Sequence, residues 1–141
     1  MGELVLIVDD NGQNAKLTRD VLEHAGMRTL SASTAADGLA LAREHLPDLV
    51  LMDLRLPDLD GSEAARRLAA DDRTARIPVV ALSALSSEEA APWFRGAGFA
   101  GYIEKPIDVQ ALAGQVRRHF SPARSGGEPP PEASAGSVDA P

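Results

Sequence analysis

The 141-residue chain contains no cysteine, so it can form neither a disulfide framework nor a thiolate zinc site. Positive charge is also scarce: 14 lysines and arginines stand against 21 aspartates and glutamates, a formal net charge of −7. A protein that grips a phosphate backbone needs a basic face to displace counterions, so this balance argues against a direct nucleic-acid partner. No apolar run approaches the length that crosses a bilayer, and the first is too short for a secretory core and lacks a basic leader. These absences predict a cytoplasmic protein with no membrane insertion. What is present, 44% hydrophobic residues, suffices for one core of ordinary size and one domain.

The stretch "LVLIVDDN", Leu4 to Asn11, drives five aliphatic residues straight into two adjacent aspartates. Neighbouring carboxylates repel, and burying either without a partner is costly, so the pair reads either as part of a cation site or as two solvated loop acids. Further β-type runs occupy Asp48 to Met52, Pro78 to Leu82 and Gly101 to Glu104, with a weaker one at Met27 to Ala32. Helical spacing lies between them. Asn14 to Ala25 puts Leu17, Val21, Leu22 and Ala25 on one face and stops at Gly26. Thr34 to Asp37 resembles a capping box, opening a helix with Leu39, Ala42 and Leu46 that halts at Pro47. Ser62 to Asp71 is alanine-rich with Arg66 and Arg67 outward, and Val109 to Phe120 repeats Val109, Leu112, Val116 and Phe120 behind an Asp108 cap.

Strands apolar on both faces and alternating with helices predict a doubly wound α/β fold with a parallel sheet. Ligands of such sheets sit beyond the carboxyl ends of the strands, where the strand order reverses. Those ends carry Asp9 and Asp10, then Asp53, then Ser83, then Lys105. Asp9, Asp10 and Asp53 offer hard oxygen ligands suited to Mg²⁺. Lys105 adds a compact charge able to face a phosphoryl group, and Ser83 a hydroxyl donor. An aspartate held against a metal and a lysine is a competent nucleophile toward a phosphoryl donor.

With "VLIVDDN", "PDLVLMDLRLPDLDG", "PVVALSA" and "YIEKPI" in this order and spacing, the chain resembles the receiver domain of bacterial two-component response regulators over Glu3 to about Phe120. The resemblance implies a flavodoxin-like fold of five parallel strands in the order 2-1-3-4-5 flanked by five helices. It makes Asp53 the phosphoacceptor, Asp10 and the Arg55 backbone carbonyl metal ligands, and Asp9 a ligand through water. Ser83 matches the switch hydroxyl, Tyr102 the aromatic switch and Lys105 the phosphate-contacting lysine, with a cis peptide expected at Lys105-Pro106. Pro57 and Gly61 match the loop after the phosphoacceptor. Arg55 and Leu85 are expected to border the phosphoryl group and slow its hydrolysis.

Plainer readings stand beside these. Tyr102 also reads as a core aromatic with a wet hydroxyl, and Ser83 as a strand-end serine bonded to local backbone. His24, His45 and His119 read as surface residues, and Asp58 and Asp60 as turn acids before Gly61. Pro92 predicts a short or displaced fourth helix, with one of Trp93 and Phe94 packed on the sheet and the other available to a partner. Residues 121–141, rich in Pro, Gly, Ser and Ala, read as a disordered tail beside a receiver over 1–120.

The resemblance therefore implies a stand-alone, monomeric regulator that catalyses its own phosphorylation and dephosphorylation. It would take a phosphoryl group from a histidine kinase or histidine phosphotransfer protein and signal by binding a downstream protein partner. A haloacid-dehalogenase-like phosphatase would need Asp-x-Asp after the first strand, and here the acids are adjacent. An interaction module that no longer phosphorylates would lack an acid or the lysine, and none is missing. A receiver cut from a hybrid kinase is disfavoured by the methionine so close to the first strand.

Overall fold

Strand β1, Leu4–Val8, is buried from Val5 onward, and its alternation decides the layering of the molecule. Leu6 and Val8 point into one apolar cluster and Val5 and Ile7 into another. Strand β3, Leu49–Asp53, repeats the pattern, with Val50 and Met52 on the first side and Leu49 and Leu51 on the second. Period-two side chains that are apolar in both directions require cover on both faces. The computed structural model, which describes residues 2–84, 88–89 and 98–120, supplies it. Helices α2, Ala35–His45, and α3, Gly61–Ala70, cover the first face with Ala35, Ala42, Ala64, Ala65 and Leu68. Helices α1, Gly12–His24, and α4, Leu112–Arg117, cover the second with Leu22, Leu112 and Val116. Each large side chain fully buried there contributes about 1.5–3 kcal/mol.

With β2, Arg28–Ala32, β4, Val79–Ser83, and β5, Gly101–Glu104, the sheet is wholly parallel in the order β2-β1-β3-β4-β5. This is the doubly wound, five-stranded arrangement expected. The direction of winding reverses between β1 and β3, which opens a crevice at the carboxyl ends of those two strands. Four of the five expected helices lie among the described residues. The remaining one, with Pro92, Trp93 and Phe94, falls outside them, as do Leu85 and residues 121–141.

Three local details depart from the sequence reading. α1 begins two residues before Asn14, because the Asn11 side chain accepts from the amides of Gln13 and Asn14, both at 3.0 Å. Its inward face runs through Thr18 and Leu22, while Leu17 is 39% exposed. α4 begins three residues later than Val109, because the Asp108 carboxylate accepts from Gln110 and Ala111 and holds that stretch as a turn. Val109 is thereby left 51% exposed rather than joining Leu112 and Val116. His24 and His45 are exposed as expected, but His119 is half-buried against β5, where a methyl group on Gly101 would strike its ring. Half of the capping box forms: Thr34 Oγ1 accepts from the Asp37 amide at 3.1 Å. The helix ends on Leu46 at φ 48°, ahead of Pro47, which disfavours a helical residue before it.

Burial holds the His119 pKa below its ordinary value of 6.5, with the Arg118 charge adding to the effect. The unfolded chain then protonates more readily than the folded one. The contribution to stability is complete above pH 6.5 and is lost as pH falls toward and through the lowered value. His119→Gln should flatten this part of the pH dependence. Urea denaturation of wild type and variant between about pH 7.5 and about pH 5.5 checks it, and parallel curves would refute it.

Candidate active site

Parallel register brings the strand-end side chains together. Asp53 closes β3 beside Leu82, and Ser83 closes β4 beside Glu104, so Asp53, Ser83 and Lys105 follow one another across the sheet edge. Asp9 leaves β1 with its amide bonded to the Ala32 carbonyl at 3.0 Å, which ties the acidic pair to the end of β2. Carboxylate oxygens of Asp9, Asp10 and Asp53 all lie within 4.8 Å of one another. Asp9 and Asp53 are buried and Asp10 is exposed. Of the two readings open for the aspartate pair, solvated loop acids do not describe Asp9, which is only 2% exposed.

Among the described residues, Lys105 is the cation that forms ion pairs with this cluster. Lys105 Nζ stands 3.3 Å from Asp9 Oδ2 and 3.2 Å from Asp53 Oδ2. Its amide donates to the Ser83 carbonyl at 2.7 Å, and the Lys105-Pro106 peptide is cis, as expected. Among the described residues, the ion pairs of the cluster set one ammonium against three carboxylates, so negative charge is in excess when all are ionised. Burial, above all, pushes the Asp53 carboxyl above the usual carboxylate range. The Arg55 amide, donating to Asp53 Oδ1 at 3.1 Å, and the Lys105 charge oppose that rise, while the Asp9 charge adds to it. Asp9 Oδ1 accepts from the Asn11 amide at 2.9 Å, but Oδ2 is buried and accepts no well-aligned hydrogen bond despite the nearby ammonium. A buried, under-satisfied carboxylate oxygen beside two more acids is a donor set that fits a hard divalent cation.

These groups border an open cleft of about 360 Å³ lined by Asp10, Asn11, Asn14, Asp53, Arg55, Ser83, Ala84 and Lys105. Arg55 is exposed and is among the residues that line it. Tyr102 does not line the cleft. It packs on Leu54 and Ala81, and its hydroxyl donates over 3.5 Å to the Ser83 carbonyl. Burial raises the pKa of that hydroxyl. Gly61 is required by close approach: a Cβ there would collide with the backbone of Asp53 and Leu54, and its amide donates to the Leu54 carbonyl at 2.9 Å.

Some contributors escaped sequence reasoning. Asn11 both caps α1 and lines the cleft; an asparagine between a strand and a helical pattern was the available signal. Asn14 and Ala84 had none. Asp58 does belong to the turn before Gly61, yet its carboxylate caps a different helix, accepting from the amides of Ala35 and Ala36 at 2.9 and 3.0 Å. Those amides hold its pKa below the ordinary value. Nothing in the local sequence links residue 58 to residue 35.

The model of the response regulator receiver domain matches residues 5–117. The chain belongs to the receiver domain family. It is 38% identical over 123 residues to the polar-differentiation response regulator DivK of Brucella anthropi, an alignment covering 87% of this chain and all of that protein. A CheY-like receiver from Methanospirillum hungatei superposes with a TM-score of 0.79 at 26% identity, covering 90% of this chain and all of the other. The receiver of a Pseudomonas aeruginosa sensor histidine kinase superposes at 0.78 with 29% identity, covering 84% and 98%, and it has a magnesium ion coordinated in its active-site cleft. Receivers bind Mg²⁺ at an acidic site and have a phosphodonor kinase as partner, and family membership excludes the phosphatase alternative. Among the described residues no helix is long and apolar enough to cross a membrane.

Removing the ammonium should leave Asp9 and Asp53 buried against each other. Lys105→Met is expected to lower stability by roughly 1–3 kcal/mol in divalent-free buffer, the cost of an uncompensated buried charge. Adding Asp9→Asn should restore part of it, because the two sites touch and cannot be additive. Urea denaturation of the two single variants and the double variant measures the coupling, and additive effects would show that the ammonium does not serve Asp9.

Proposed function

We propose that this receiver accepts a phosphoryl group on Asp53 from a phosphohistidine of a histidine kinase or histidine phosphotransfer protein. The observation that carries the reading is the setting of Asp53: buried at the cleft, 3.2 Å from the Lys105 ammonium and within 4.8 Å of two further acids. Burial strips water from the Asp53 carboxylate, which favours its approach to phosphorus. A carboxylate oxygen forms the new P–O bond as the donor's P–N bond breaks, and the bonding pair stays with the departing imidazole nitrogen.

Asp10, Asp53 and the Arg55 backbone carbonyl would hold Mg²⁺, with Asp9 acting through water; the ion supplies charge neutralisation for the transferred oxygens. Lys105 meets the phosphoryl group with its ammonium, and Ser83 donates its hydroxyl to it. Tyr102, bonded to the Ser83 carbonyl, relays the change to a surface that binds a downstream protein. A stand-alone regulator is supported by the DivK relative, whose whole length this one domain matches.

Asp53→Asn should take up no phosphoryl group from acetyl phosphate in the presence of Mg²⁺ while keeping the far-ultraviolet spectrum of the wild type. Labelling that survives the substitution removes Asp53 from its role. Mg²⁺ should also raise thermal stability, by about 2.7 kcal/mol at a concentration ~100-fold above its dissociation constant. Asp10→Asn should weaken that gain. A melting temperature indifferent to millimolar Mg²⁺ would overturn the metal assignment.

A further inference from the structure

The loop from Leu54 to Asp60 carries the Arg55 carbonyl, and it is anchored at its base, along its sides and at its tip. At its base the Gly61 amide bonds to the Leu54 carbonyl and Arg55 bridges to Asp60. Along its sides Leu56 and Leu59 pack on the apolar cluster beneath α2 and α3. At its tip the exposed Asp58 reaches over to α2, each carboxylate oxygen taking one amide of the first turn.

We infer that Asp58 is a positioning residue, a clip that fixes the Arg55 arm of the metal site by fastening the loop tip to the N-terminus of α2. The clip completes a closed circuit. Asp9 is bonded to Ala32, Ala32 leads through Thr34 into α2, α2 is held by Asp58, and the loop returns to Arg55, whose amide bonds to Asp53. The two acidic arms are therefore tied to each other across β2 and α2 as well as through the sheet. A carboxylate at a helix N-terminus suits this task, since the first-turn amides have no partner within the helix and the dipole favours negative charge. Thr34 serves the same helix end through Asp37 and, among the described residues, makes no hydrogen bond to the loop, so the two caps separate helix stability from loop position.

The inference rests on the Mg²⁺ reading of the site, and the test keeps the two apart. Asp58→Ala, Asp58→Asn and Thr34→Ala are compared with the wild type in the full chain. Amide hydrogen exchange in divalent-free buffer reports on the loop, and calorimetric titration with MgCl₂ reports on the metal. Asp58→Ala should speed exchange at the Arg55 amide at least about fivefold and weaken Mg²⁺ binding by a similar factor, and Asp58→Asn, with one acceptor oxygen left, should fall between. Thr34→Ala should speed exchange at Asp37 and leave both Arg55 exchange and Mg²⁺ affinity unchanged. Unaltered Arg55 exchange in Asp58→Ala overturns the clip, as does an equal loss of Mg²⁺ affinity in Thr34→Ala. A wild type that binds no Mg²⁺ refutes the metal reading instead, and the exchange data then decide the clip by themselves.

Discussion

Mutual repulsion among Asp9, Asp10 and Asp53 is the constraint around which the rest of this receiver is arranged. At 4 Å two unit charges interact by about 4 kcal/mol in an effective dielectric of about 20, so such a cluster needs a scaffold that will not spread to relieve it. The parallel sheet is that scaffold. β1 and β3 are hydrogen-bonded neighbours, buried on both faces between two helical layers, and their ends cannot separate without breaking the ladder that runs Val5 to Leu49 through Val8 to Met52. Lys105 offsets part of the repulsion, and what it leaves is an attraction for further positive charge.

A cluster held by strands would still be open at its sides, because its carboxylates lie at or just past the last residues of the β1–β3 ladder. The loops close it through contacts of a few atoms. Asn11 turns the chain into α1 directly after the acidic pair while its amide secures Asp9 Oδ1. Gly61 lets α3 start against the backbone of Asp53, which no side chain would permit. The charged site thus depends on short polar residues and glycine where the core depends on aliphatics, and the two vocabularies meet within one residue of each strand end.

That division explains what was legible. The strands were read within a residue of their observed bounds; β1, β3 and β4 are buried on both faces and so appear as aliphatic runs, whereas the edge strand β2, mostly exposed or half-buried, gave the weaker signal. Asp53, Ser83 and Lys105 were found because the fold class alone says where its ligands bind, and the motifs then supplied the spacing. Helix starts were less legible: Asn11 starts α1 two residues early and Asp108 delays α4 by three, which leaves Val109 in a turn outside the helix, while Leu17, expected on the apolar face of α1, lies at its exposed margin. His119 looked like a surface residue among polar neighbours. It is half-buried because Gly101, eighteen positions earlier, leaves the room its ring occupies. Contacts between distant segments, such as Asp58 with Ala35, have no periodicity to betray them.

The Ser83 carbonyl holds two neighbours by bonds of unequal length. It accepts from the Lys105 amide at 2.7 Å and from the Tyr102 hydroxyl at 3.5 Å. The first is short and lies in the backbone, so the lysine is fixed to the end of β4. The second is at the limit of useful hydrogen-bond length, and its donor sits on a side chain packed over Leu54 and Ala81. A displacement at Ser83 is therefore unequal in its effects. Moving the lysine would expose two buried carboxylates to each other, whereas lengthening the hydroxyl contact loses little of that one bond. The shorter bond at this carbonyl keeps the ammonium against Asp9 and Asp53, and the longer one adds little to the packing that seats the ring over Leu54 and Ala81.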